Sequence, residues 1–142
     1  GEIKMKKNTL HFGEFRQYDK IFITSENGVD ADKFYKIYDM LIEEIKEALP
    51  DIKIVILEPF VLKGSATTEL WEQFNCEVRK LAEVSKQVAE KFSLRFVPLQ
   101  AEFDKASSDG DTRYWSVDGI HPTSAGHQII KEELQKAVEE II

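Results

Sequence analysis

One cysteine, Cys76, stands in the whole chain, so no internal disulfide can staple it. One thiol and three histidines are also a poor donor set for a structural zinc ion. No run of about 18 apolar residues occurs, so nothing in the sequence reads as a membrane-spanning helix. No apolar stretch stands behind the opening Gly1-Glu2-Ile3-Lys4-Met5-Lys6-Lys7, so no signal peptide is read there and a cytoplasmic location is expected. Basic residues are in the minority, 19 Lys and Arg against 26 Asp and Glu, for a net charge of −7. That balance argues against nucleic acid or an anionic membrane as partner, since both need a basic face. Repeats, low-complexity segments and interdomain linkers are missing too.

What is present suits a folded protein. Hydrophobic residues make up 42% of the chain and aromatics 11%, which argues against disorder. A length of 142 residues implies one domain over 1–142, able to bury about two-thirds of its unfolded surface. Residues 1–19 remain unassigned, apart from a short strand expected around Thr9 to Phe12.

From there the periodicity is clearer. Lys20-Ile21-Phe22-Ile23-Thr24 is a short apolar run closed by Ser25-Glu26-Asn27-Gly28, and reads as a buried strand and turn. A helix is expected from Asp30 or Asp32 to about Leu49, with Phe34, Ile37, Tyr38, Leu41, Ile45 and Leu49 on one face and Pro50 ending it. Ile52 to Leu57 is apolar on both faces, as in a parallel strand covered by helices, and Glu58-Pro59 closes it. Thr68 to Phe92 is the longest helical pattern, its inner stripe being Trp71, Phe74, Val78, Leu81, Ser85, Val88, Ala89 and Phe92. Cys76 lies inside this pattern and reads as buried filler. Leu94 to Leu99 is a further strand. Residues 101–117 form an acidic connection with one helical turn over Ala101 to Ala106. A last helix spans Thr123 to Ile141, with Ile129, Ile130, Leu134, Ala137, Val138 and Ile141 facing inward.

Strand, helix, strand, helix, strand, helix implies right-handed crossovers and a mostly parallel sheet, hence a three-layer α/β/α fold. Ligands of such sheets sit outside the carboxyl ends of the strands. Asn27 and Glu58 fall just past strand ends, and the 118–121 loop follows the last strand, so one shared cleft is expected.

That loop, Asp118-Gly119-Ile120-His121-Pro122, carries the chemistry. An acid three residues before a histidine can hold one ring nitrogen while the other takes a nucleophile's proton. Pro122 fixes its own φ and keeps His121 out of helical geometry. The plainer alternative is that Asp118 makes a turn with Gly119, while Thr123 or Ser124 caps the next helix. His127, in the first turn of a helix, reads as a packed or N-terminal helical residue, and His11 receives no role. The acidic pairs Glu43-Glu44, Glu132-Glu133 and Glu139-Glu140 read as solvated helix faces.

Tyr114-Trp115-Ser116-Val117-Asp118-Gly119-Ile120-His121-Pro122-Thr123-Ser124-Ala125-Gly126-His127 resembles the last block of the SGNH hydrolases, the GDSL-type lipases and acylhydrolases. Ile52 to Phe60 is similar to that family's fourth strand and its exit, and Phe96-Val97-Pro98-Leu99 to its fifth. The likeness covers roughly residues 20–142. It implies a flavodoxin-like α/β fold and ester hydrolysis without cofactor, on a small acyl ester or acetylated sugar. Asp118 and His121 would be the assisting members of the triad, Asn27 a candidate oxyanion-hole donor, and Trp115 and Glu58 candidate pocket residues. The departures lie toward the N-terminus. The family's Gly-Asp-Ser nucleophile block is absent, and Ser25-Glu26-Asn27-Gly28 stands where Gly-x-Asn-Asp belongs. The chain thus reads as the fold truncated at its N-terminus. Ser25, Ser65 and Ser116 could be offered as nucleophiles, but none sits in a strained strand-to-helix elbow. The rival expectation is an inactive remnant or binding module that dimerises through an exposed sheet edge.

Overall fold

A computed structural model describes residues 31–142. The expected strand at Lys20 to Thr24, the turn that holds Ser25 and Asn27, and the segment 1–19 lie outside the described residues.

Ala31–Ala48 forms the first described helix, α1, and Pro50 follows it in a turn. Ile42 is its buried residue, with Tyr38 and Phe34, one and two turns earlier, partly buried against the same core. Leu41 and Ile45 of the expected face are partly buried as well. Ile37, expected inside, is 61% exposed because it lies about 100° around the helix from Tyr38. Leu49, also expected inside, falls beyond the last turn and is 53% exposed.

Val55–Leu57 (β1) and Arg95–Val97 (β2) pair in parallel, with Val55 opposite Arg95 and Leu57 opposite Val97. Both are shorter than the apolar runs suggested. One more bond, from the Glu58 amide to the Val97 carbonyl at 2.9 Å, extends the pairing before Pro59 and Pro98, which have no N–H to give. The helix between them, Trp71–Lys91 (α2), supplies the crossover. Of its expected stripe, Phe74, Leu81, Ser85, Val88 and Ala89 are buried, joined by Val84, while Trp71, Val78 and Phe92 are only partly buried; Cys76, expected as filler, is exposed instead.

α2 ends in a turn whose backbone bonds run from the Leu94 amide to the Ala89 carbonyl at 2.8 Å and from the Ser93 amide to the Glu90 carbonyl at 3.3 Å. Ser93 takes the left-handed conformation there, with φ 55°. Gln100–Ala106 (α3), a 3₁₀ turn at Thr112–Tyr114 and Ser124–Ile141 (α4) complete the described chain.

Strand alternation sorts the side chains onto two faces. Ile56 packs with Ile42, Val84, Val88 and Ala89, joined by Phe34, Tyr38 and Phe96, under α1 and α2. Val97 packs with Leu62, Leu99, Phe103 and Ala137, joined by Val55, Trp115 and Ile130, against α3 and α4. Val138, expected to face inward, is 36% exposed, and Ala137 beside it is fully buried. The layers are therefore helix, sheet and helix, as the alternation of elements implied. The Lys91 ammonium pairs with Asp39 and ties α2 to α1.

Candidate active site

The second core supports the Asp118 loop. The Thr123 hydroxyl caps α4 by accepting from the Gly126 amide at 3.1 Å, and donates to the Tyr114 carbonyl at 2.6 Å. Ser116 and Pro122 bridge across the loop, and the Val117 amide donates to the His121 carbonyl at 2.8 Å. Inside it, the buried Ser116 hydroxyl donates to the His121 carbonyl at 3.0 Å and accepts from the Gly119 amide at 2.8 Å.

This frame divides the two oxygens of one carboxylate between two tasks. Asp118 Oδ1 accepts from the Ile120 and His121 amides, both at 2.9 Å. Asp118 Oδ2 lies 2.7 Å from His121 Nδ1. The turn-making reading and the histidine-orienting reading of Asp118 thus hold together. Partial burial pushes the Asp118 carboxyl up, but the His121 amide, the Ile120 amide and the His121 ring outweigh it, so the group sits below its ordinary value. An ionised carboxylate only accepts, so Nδ1 is the protonated nitrogen in this contact and Nε2 of a neutral ring offers its lone pair. The imidazole is 37% exposed and the carboxylate 23%, so a reactant can reach the base while the acid stays partly shielded.

The other candidates are placed differently. Glu58 Oε1 accepts from the Leu99 and Gln100 amides at 2.7 and 2.9 Å and so caps α3. Glu58 also lines a cavity of about 620 Å³ with Arg79, Lys86, Arg95 and Phe96, to whose lining neither Asp118 nor His121 belongs. Trp115 is partly buried on the second core, its ring edge-on to Tyr114 at 4.8 Å. Asn27 lies outside the described residues. His127 is an exposed residue of the first turn of α4, its amide bonded to the Thr123 carbonyl. Of the serines considered, Ser65 is exposed in its loop, and Ser116 directs its hydroxyl to a carbonyl. Among the described residues no hydroxyl or thiol hydrogen-bonds the His121 ring, and no group of three His, Cys, Asp or Glu could hold a metal ion.

The loop beyond the strands of this parallel α/β unit thus holds a carboxylate against one nitrogen of an imidazole and leaves the other nitrogen open. A family profile for GDSL-like lipases and acylhydrolases matches residues 24–129, and the chain belongs to that family. It is similar to an acetylxylan esterase of Geobacillus stearothermophilus, with 29% identity over 117 residues, 82% of this chain and 50% of that protein. Among solved structures, a GDSL-like lipase from Parabacteroides merdae superposes with a TM-score of 0.74 at 29% identity, covering 84% of this chain and 55% of that one. A structure of the Geobacillus stearothermophilus acetylxylan esterase superposes with a TM-score of 0.69 at 26% identity, covering 87% and 53%. The chain thus spans about half the length of these relatives. Catalytic mutants of that esterase replace a serine, an aspartate and a histidine three residues beyond the aspartate.

Proposed function

We propose that this chain supplies the acid–base half of an ester-hydrolase triad, acting on an acyl ester of the acetylated-sugar class. The observation that carries this reading is the 2.7 Å contact between Asp118 Oδ2 and His121 Nδ1, with the other ring nitrogen open. His121 Nε2 takes the proton of a serine hydroxyl as that oxygen attacks the ester carbonyl. Asp118 holds the ring and stabilises the imidazolium that forms. The tetrahedral oxyanion collapses, the C–O bond to the alcohol breaks, and His121 returns the proton to the leaving oxygen. Water then attacks the acyl-serine with the same proton shuttle, which releases the acid. Asn27 is the proposed donor to the oxyanion, where one lost hydrogen bond typically costs about 3 kcal/mol of transition-state stabilisation. The sugar-ester class rests on the likeness to the acetylxylan esterase.

Reaction of the purified chain with a fluorophosphonate probe, read by intact mass and peptide mapping, tests the proposal. A single label, abolished by His121→Ala, supports it and identifies the serine. A second reading is favoured by the lack of any hydroxyl on the His121 ring among the described residues, and by the missing Gly-Asp-Ser. On that reading the chain is a non-catalytic or oligomerising module, and a folded sample that stays unlabelled and inert towards esters favours it.

A further inference from the structure

The Asp118–Gly119 peptide is gripped from outside its own loop. The Leu62 amide donates to the Gly119 carbonyl and the Ala66 amide to the Asp118 carbonyl, both at 2.9 Å. The two backbones approach so closely that side chains are excluded. A Cβ on Gly64 would stand 2.3 Å from the Asp118 carbonyl carbon, and one on Gly119 would stand 2.4 Å from the Leu62 carbonyl oxygen. Gly119 also has φ 103°, a conformation that glycine adopts without strain.

One buried hydroxyl organises the gripping turn. Thr67 is fully buried; its Oγ1 donates to the Leu62 carbonyl at 2.6 Å and accepts from the Gly64 amide at 2.9 Å. The same oxygen abuts Gly119, where a Cβ would come within 2.6 Å of it. Thr67 makes no hydrogen bond to the Asp118 carboxylate or the His121 ring. Its donor is committed and its side chain is closed to solvent, so it has no part as a nucleophile.

We infer that Thr67 is a positioning residue for the Asp118–His121 pair. Its hydroxyl sets the shape of the 62–67 turn, the turn fixes the Asp118–Gly119 peptide, and that peptide aims the carboxylate at His121 Nδ1. The role rests on the reading of this pair as the acid–base half of a triad. A carboxylate orients an imidazole only where its own backbone is held to within a fraction of an ångström. Asp118 lies in a loop, and the 62–67 turn supplies that restraint from the exit of the neighbouring strand.

NMR on the isotope-labelled chain tests this without requiring turnover. Two signals are followed: the Asp118 carboxyl carbon through an acid titration, and the downfield His121 Nδ1 proton. Thr67→Val keeps the side-chain shape and removes both hydrogen bonds. It should raise the Asp118 midpoint toward the ordinary carboxylate value and abolish the Nδ1 proton signal. Thr67→Ser should restore both. A residue that serves stability alone would lower the melting temperature and leave both signals of the folded protein in place; that result overturns the inference. If Thr67→Val does not fold, Thr67→Cys weakens the same two bonds at similar bulk. A part-way rise in the Asp118 midpoint then supports the role, and an unchanged midpoint overturns it. Failure of fluorophosphonate labelling in the unmodified chain counts against the hydrolase reading and leaves these two signals to decide the role of Thr67.

Discussion

At the scale of single residues one carboxylate serves two contacts. Asp118 turns the backbone with Oδ1 and holds His121 with Oδ2, so its removal acts on two properties at once. In an active assembly, Asp118→Asn is expected to cut ester turnover by about 10⁴-fold, because the amide no longer enforces the productive tautomer. Stability should change as well. The native pKa of Asp118 lies below the unfolded one. The carboxylate therefore stabilises the fold at pH above its ordinary value of about 3.9, and this contribution fades as pH falls through the depressed native value. Urea titrations at neutral and acid pH should show a smaller acid loss in Asp118→Asn than in the parent. Cys76 belongs to this scale too. It is exposed on α2, so it should react stoichiometrically with a thiol reagent in the native protein. Protection of the thiol until unfolding would contradict the placement of that helix face.

At the scale of elements, two helix ends carry contacts that can be tested. Ser93 ends α2 with φ 55°, a conformation that costs a non-glycine residue about 1 kcal/mol. Ser93→Gly should raise stability by about that amount, read as a higher denaturation midpoint at constant slope. The start of α3 is more heavily tied. Gln100 is 6% exposed; its amide accepts from the Val61 amide and donates to the Val61 carbonyl, both at 3.0 Å. It mimics a neighbouring strand for a loop residue that has none. Gln100→Ala leaves both groups of Val61 unpaired and is expected to cost about 1–3 kcal/mol for each buried group left unsatisfied. Thermal unfolding measures it. The same contact anchors the loop that continues into the Thr67 turn, so α3 and the site share a support.

At the scale of the whole described unit, two cores on opposite faces of a two-stranded parallel sheet do different work. The face under α1 and α2 holds these two helices to the strands. The face under α3 and α4 carries Trp115 and, through it, the 116–122 loop. Phe103 is fully buried there and stacks on Phe60 at 4.0 Å between ring centroids. Phe103→Ala should cost about 3–5 kcal/mol and disturb the His121 resonances. An equally buried change on the other face, Val88→Ala, should lower stability while leaving those resonances in place.

The sequence by itself determined the parts of this protein whose information is local. The helices at Trp71–Lys91 and Ser124–Ile141 were legible because their apolar residues repeat with the helical period over four or more turns. The Asp118–His121 pair was legible because three residues of backbone suffice to bring a carboxylate to its own neighbour. Strand limits were less so: apolar runs mark what can be buried, while pairing stops where Pro59 and Pro98 withdraw their donors. The orientation of α1 turned on which residues α2 covers, and a stripe of alternating apolar positions leaves that choice open by a third of a turn. Only the tertiary structure decided the tasks of Glu58, Gln100, Ser116 and Thr67. Each is a polar group satisfied by backbone that its own surroundings bring close, Glu58 and Gln100 across about forty residues of chain, and no periodicity or motif records such a partner. Buried polar groups must find partners, and which partners exist is settled only when the elements pack.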